Sequence, residues 1–311
     1  MYSIGIDLGG TGIAAGLIDE TGALLLKKSV PTLSGRGAGP VIADIVSLCK
    51  SLTDGQSLSS CDINSVGIGC PGTVDPTTGR ILYATNLGFT DVPIGPLVAK
   101  ELDLPVYIEN DANCAALGES RFGAGRGSKY SVTITLGTGI GGGLIIGGAI
   151  YSGPFFGAGE FGHHIIKMGG EVCGCGAKGC WEAYASATAL IRETVKGAKN
   201  NPNSLINRIA GGNFSKINAK TPFDAALEGD AVAKEIVDDY LTHLSVGFSN
   251  IVNLLQPEII VIGGGISGQG DSLILAVERR VKNLVLGGNL KTRFLIAGLG
   301  NDAGIIGAAI L

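Results

Sequence analysis

The string Thr-Gly-Ile, two small residues, then Gly-Leu-Ile starts at Thr11 and returns at Thr138, 127 residues on. Each copy follows an apolar run, "YSIGIDLGG" or "SVTITLG", whose letters alternate with the period of a strand. Each therefore reads as strand, glycine turn, strand, and the first copy continues through a hairpin at "DETG". The chain holds 52 glycines, well over the usual share of about 7%, so chance could produce such a match. A duplicated β-rich unit, one per domain, explains it better.

Between the copies, an amphipathic helix near 40–52 precedes a strand at "SVGIGC" and a turn at "PGTVDPTTG". A helix follows at "IGPLVAKEL", then a strand at "PVYIEN" and a helix from "DANCAALGES". Beyond the second copy the pattern is mostly helical from Ala183 to Leu255. A strand at "QPEIIVIGG", another at "TRFLIAGLG" and a helix at "DAGIIGAAIL" end the chain. Strands alternating with helices predict an α/β fold of two similar domains with a cleft between them, and 311 residues suffice for both. The expected division is a small N-terminal domain over 1–112, with the final helix (about 301–311) packed back on it. A larger domain would then cover 113–300.

The formal net charge is −4 and no long basic run occurs, which argues against nucleic acid and acidic membranes as partners. "MYSIGIDLGG" has no basic n-region and no long apolar stretch of a signal peptide. From Tyr130 to Gly159 no residue is charged, but the glycines make a poor membrane helix, at about 1 kcal/mol each against alanine. Strand, turn, strand is the better reading, and a cytoplasmic protein is expected.

Three of the seven cysteines, Cys173, Cys175 and Cys180, lie in one short loop. In a reducing compartment such clusters more often mean metal than disulfide, and "CGC" is too tight for easy disulfide geometry. With His163 or His164 upstream they would complete a closed tetrahedral zinc site; incidental free thiols are the bland alternative.

"DLGGTG" (Asp7–Gly12) lacks the lysine of a P-loop, and a strand follows it rather than a helix. Such a turn can offer backbone N–H groups to an anion, with Asp7 facing a phosphate-bound metal. "LGTGIGGG" (Leu136–Gly143) is a second such turn and "IGGGISG" (Ile262–Gly268) a third. In "IENDANCAALGE" Asp111 falls at a strand-to-helix junction, as a helix N-cap or as a general base with Asn110 beside it.

Together these residues resemble the ROK family of sugar kinases and repressors, within the actin-like ATPase (ribonuclease H-like) superfold. The likeness runs from Ile4 to the final helix and is most specific in "ENDANCAALGE", "LGTGIGGG…GAGEFGH" and "CGCGAKGCWEAYAS". "GEFGH" and "GCWEAYAS" are most similar to the bacterial glucokinases of that family. The resemblance implies ATP-dependent phosphorylation of the 6-hydroxyl of a hexose, glucose first. N-acetylglucosamine, N-acetylmannosamine, mannose and fructose are the alternatives. A non-catalytic sugar-binding or regulatory protein is the alternative of another class. A repressor of the family would need a helix-turn-helix ahead of the first turn, for which the start of this sequence leaves no room.

The resemblance also implies roles. Asp111 would be the catalytic base, and Asn86, Asn110, Glu160, His163 and Glu182 would bond sugar hydroxyls. Zinc would sit on His163, Cys173, Cys175 and Cys180. ATP phosphates would lie on Gly9, Gly10, Thr11, Gly137, Thr138 and Gly139, and adenosine near Gly263, Gly264 and Gly265. Magnesium would be held by Asp7, directly or through water, and the assembly would be a homodimer or homotetramer. Gly12 departs from the family, where Asn or Lys is usual.

Overall fold

The computed structural model describes residues 1–54, 58 and 60–311. The chain divides into two compact units, 1–133, 143–159 and 298–311 in the first, 134–142 and 160–297 in the second.

In the first unit β1 (Tyr2–Leu8), β2 (Gly12–Asp19) and β3 (Leu24–Pro31) form an antiparallel meander. Helix α1 (Ala38–Asp54) leads to β4 (Ile63–Cys70), parallel to β1. Then come β5 (Thr73–Asp75), β6 (Arg80–Ala84) and β7 (Phe89–Val92), a small antiparallel sheet of their own. Helix α2 (Ile94–Leu102) leads to β8 (Val106–Asn110), parallel to β4, and the main sheet is ordered β3-β2-β1-β4-β8. Apolar residues at helical spacing on α1, Val41, Ile45, Leu48 and Leu52, are buried in one core with Ile4, Ile6 and Leu8 of β1 and Ile13 and Leu17 of β2. The β5–β7 sheet was not legible as strands: the elements are short, and Leu82 and Tyr83, adjacent on β6, are both exposed, so no alternation marks them.

Helix α3 (Asp111–Arg121) follows β8. A second sheet, ordered β11-β10-β9-β12-β13, is built from β9 (Ser131–Leu136), β10 (Ile140–Ile146), β11 (Ala149–Ile150), β12 (Ile259–Gly263) and β13 (Arg293–Ile296). Helices α4 (Glu182–Ala185), α5 (Ala187–Asn200), α6 (Leu205–Ile209), α7 (Thr221–Leu227), α8 (Ala231–Leu255) and α9 (Asp271–Lys282) fill the second unit. Helix α10 (Ala303–Ala308) closes the chain.

The expected boundary after residue 112 cuts a joint that packing keeps whole. Helices α3 and α10 meet through glycine: a Cβ on Gly307 would collide with the Cys114 carbonyl, and one on Gly118 would stand 2.5 Å from the Ala303 oxygen. Buried Glu119 secures the same joint. Its Oε2 accepts from Ala124 N (2.8 Å) and Gly298 N (3.0 Å), and its Oε1 from Leu299 N (2.8 Å). Residues 113–133 therefore belong with the first unit.

Candidate active site and metal centre

Strands β1, β4 and β8 are parallel, so their carboxyl ends share one edge, the edge at which open α/β sheets take ligands. Asp7 stands near the end of β1, paired with Gly69, which is paired in turn with Glu109. Asp111 follows β8 directly.

The cap of α3 sits one residue before Asp111. Asn110 has extended backbone (φ −63°, ψ 144°), and its Oδ1 accepts from Ala112 N (2.9 Å) and Asn113 N (3.2 Å). Its Nδ2 donates to Gly72 O at 3.1 Å, so much of the amide expected to read a sugar is engaged within the protein. Asp111 is the first helical residue, its Oδ1 accepting from Ala112 N at 2.8 Å. The helix has its cap without Asp111.

Burial pushes the Asp111 carboxyl above its ordinary value, against the pull of the Ala112 N–H. Asp7 is raised by burial and then by the charge of Asp111, with Lys27 opposing. Glu109, 5% exposed, is raised by burial as well, and its Oε1 accepts from Asn110 N (2.8 Å) and Asn113 Nδ2 (3.1 Å). Sequence reasoning missed Glu109. By strand alternation it shares a face with exposed Tyr107, so nothing in the letters marks it as buried.

The first glycine turn closes with Gly9 N donating to Gly12 O at 2.9 Å. Asn86, in a 3-10 turn over Thr85–Leu87, packs on it: a Cβ on Gly10 would lie 3.1 Å from Asn86 Cβ. Asp7, Gly9–Thr11, Asn86, Asn110 and Asp111 all belong to the first unit.

In the second unit the second turn closes with Gly137 N donating to Gly139 O at 3.0 Å. Glu182, at the start of α4, accepts from Ile140 N through Oε2 at 2.8 Å, and a Cβ at 139 would collide with that same oxygen. The Glu160–His163 segment packs against Ile140 through Gly162. The third turn reaches the same place: a Cβ on Gly264 would stand 2.5 Å from Leu136 O.

His163, Cys173, Cys175 and Cys180 bring one ligand atom each to within 4.8 Å of one another. Cys173 Sγ lies 3.6 Å from His163 Nδ1, and Cys175 Sγ 3.7 Å from Cys180 Sγ. A tetrahedral zinc with bonds near 2.3 Å spaces its ligands about 3.7 Å apart, so the donor set fits zinc in kind and spacing. His164 is turned elsewhere, with Nδ1 2.5 Å from Phe161 O and its ring 5.3 Å from that of Trp181. Cys173 Sγ is also 3.6 Å from Glu182 Oε1, which joins the thiol loop to the second turn through one carboxylate.

The ROK family model matches residues 3–311, and the chain belongs to the ROK family. A glucokinase of Halalkalibacterium halodurans is 38% identical over 312 residues, 100% of this chain and 94% of that protein. A glucokinase of Thermotoga maritima is 39% identical over 308 residues, 98% of this chain and 95% of that protein. A solved ROK family glucokinase from Streptomyces griseus, in complex with glucose and AMPPNP, matches with a TM-score of 0.83 at 36% identity, covering 100% of this chain and 98% of that one. The fold is that of the actin-like ATPases, with mixed sheets. No helix among the described residues is long and apolar enough to cross a membrane.

Proposed function

We infer that this chain is an ATP-dependent hexose kinase that transfers the γ-phosphoryl group of ATP to the 6-hydroxyl of glucose. The carrying observation is Asp111: a carboxylate at the carboxyl edge of three parallel strands, spared the capping role by Asn110. The glucokinases matched over nearly their whole length, one of them solved with glucose and AMPPNP, support the same reading.

In this reading Asp111 accepts the proton of the sugar 6-hydroxyl as O6 bonds to the γ-phosphorus and the bond to the ADP oxygen breaks. The transition state is loose, so the proton need leave only late, and a carboxylate suffices as base. Asn86, Asn110, Glu160, His163 and Glu182 bond sugar hydroxyls. The turns Gly9–Thr11 and Gly137–Gly139 receive the phosphates, through the N–H groups of Gly10, Thr11, Thr138 and Gly139, and Gly263–Gly265 the adenosine end. Asp7 would hold magnesium, whose chemistry is to offset phosphate charge. Zinc on His163, Cys173, Cys175 and Cys180 orders the loop that carries the sugar contacts. A homodimer or homotetramer belongs to the reading, as does a cytoplasmic setting that keeps the thiols reduced.

A coupled ADP-release assay over glucose, mannose, fructose, N-acetylglucosamine and N-acetylmannosamine tests it. Glucose is expected to give the highest kcat/KM. A larger value for an N-acetylhexosamine would reassign the substrate. Absence of turnover with every sugar, beside measurable sugar binding, would favour the non-catalytic alternative.

A further inference from the structure

The two glycine turns repeat in sequence, but what holds them does not. In the first, Thr32 grips both ends of the turn. Its N–H donates to Thr11 O at 3.0 Å and its Oγ1 to Gly9 O at 2.6 Å, from a fully buried position just after β3. In the second, the start of α5 does the same work. Ala187 N donates to Gly137 O at 2.9 Å and Thr188 Oγ1 to Thr138 O at 2.7 Å. Each turn also bonds to itself, Gly9 N to Gly12 O and Gly137 N to Gly139 O. So in each unit one threonine hydroxyl and one neighbouring N–H hold turn carbonyls. Two N–H groups per turn, those of Gly10 and Thr11 and those of Thr138 and Gly139, make no bond among the described residues.

The asymmetry has a chemical consequence. A carbonyl oxygen facing a phosphate repels it, whereas an N–H attracts it. A flexible glycine turn can present either, because glycine resists few backbone rotations. Bonding the carbonyls to a fixed threonine selects the arrangement in which the N–H groups are the free polar face. We propose that Thr32 and Thr188 are a matched pair of positioning residues for the polyphosphate of the nucleotide, one bracing each glycine turn. The proposal rests on the kinase reading. Neither residue belongs to the repeated string: Thr32 follows Thr11 at the end of the next hairpin, and Thr188 lies on a helix.

The test is calorimetric binding of Mg-AMPPNP and, separately, of glucose to the full chain and to Thr32→Val, Thr188→Val, Thr32→Ser and Thr188→Ser. Thr194→Val serves as control, since it loses a like bond, Oγ1 to Leu190 O at 2.7 Å, further along α5. Each brace valine is expected to weaken AMPPNP by about three- to tenfold, the worth of one neutral hydrogen bond. Glucose affinity should stay within about twofold of wild type on the same scale. Both serines should restore AMPPNP binding, and Thr194→Val should match wild type. Thr188 is exposed, so its valine decides the matter even where the buried Thr32→Val fails to fold. AMPPNP affinity unchanged in Thr188→Val overturns the proposal, as do equal losses for sugar and nucleotide or serines that do not restore binding. Wild-type protein that binds glucose but no AMPPNP would overturn the kinase reading and the braces with it.

Discussion

The β8–α3 corner and the thiol loop are ordered by different forces. At the corner, Ile68 and Cys70 of β4 and Ile108 of β8 are buried, Asn110 caps the helix, and α10 locks α3 through glycine contact. Regular structure alone fixes Asp111 there. In the loop, Ile165, Met168 and Val172 are exposed, Met168 at 95%, and two isolated bridges, Ile165 with Cys180 and Val172 with Lys178, are its strand-like pairing. Only Cys173, Cys180 and Ala183 bury together, with Tyr184 against them. Burying one aliphatic side chain contributes about 1.5–3 kcal/mol, whereas zinc in a small peptide site contributes about 10–16 kcal/mol. A loop with so little core would gain most of its order from zinc held by His163, Cys173, Cys175 and Cys180, as proposed above. In the proposed reading the base would then stand on an edge built by regular structure, and the sugar contacts on a segment that depends on its ion.

The largest expected effect would break the corner's chemistry without touching its order. Asp111→Asn should lower kcat at least about a hundredfold, the usual worth of a general base. Glucose affinity should change far less, because the amide still bonds the hydroxyl. Since Asn110 supplies the cap, the melting temperature should not fall. Near-wild-type kcat in this variant would leave the mechanism without its base.

The next effect sharpens the other side of the comparison. Cys175→Ser should lose zinc, read by elemental analysis, and glucose affinity together. Displacing the charged sugar contact of Glu182 forfeits about 1.5–3 kcal/mol, so affinity should drop roughly 10–150-fold. Melting of the corner should be little altered. Full zinc content in the variant, or zinc lost with glucose binding intact, would separate the loop from the sugar site.

The sequence disclosed the two regions unequally. The places of the glycine turns at strand ends, of Asp111 at the strand-to-helix junction and of the clustered thiols were readable, because each uses residue types with a narrow set of uses: backbone freedom, a carboxylate at a strand end, soft metal ligands. The same holds for the alternating and helical periods that predicted most elements. Glu109, Thr32 and Glu119 were not readable. Their roles depend on burial and on partners from distant segments, such as the tie from Glu119 to Gly298 and Leu299. Cap or base was left open for Asp111 because Asn and Asp cap almost equally well, so "ND" leaves the choice to backbone geometry, which makes Asn110 the cap. Gly12 sits at the head of β2 with Val30 O 3.7 Å from where its Cβ would be, so a side chain there is tolerated and its absence is unexplained by packing.

The smallest effect is the most diagnostic of why the corner is built at a cost. Asp111 is held above its ordinary value chiefly by burial. A carboxyl raised in the folded state binds its proton more tightly there than in the unfolded chain. Its contribution therefore favours the fold at pH below the unfolded value, near 3.9, and is lost as pH rises through the folded value. At neutral pH the ionised Asp111 works against stability, and Asp7, raised by burial and by Asp111, does likewise. Activity runs the other way, because the base must be ionised, so kcat/KM should fall on acidification through a window lying above 3.9. Asp111→Asn should melt slightly above wild type at pH 7, by a few degrees at most, and the gap should narrow as pH falls through that same window. Paired melting curves from pH 7 downward read the gap directly. A gap that widens on acidification would mean that the folded protein favours the charged carboxylate, and would assign Asp111 to holding the corner together rather than to the reaction.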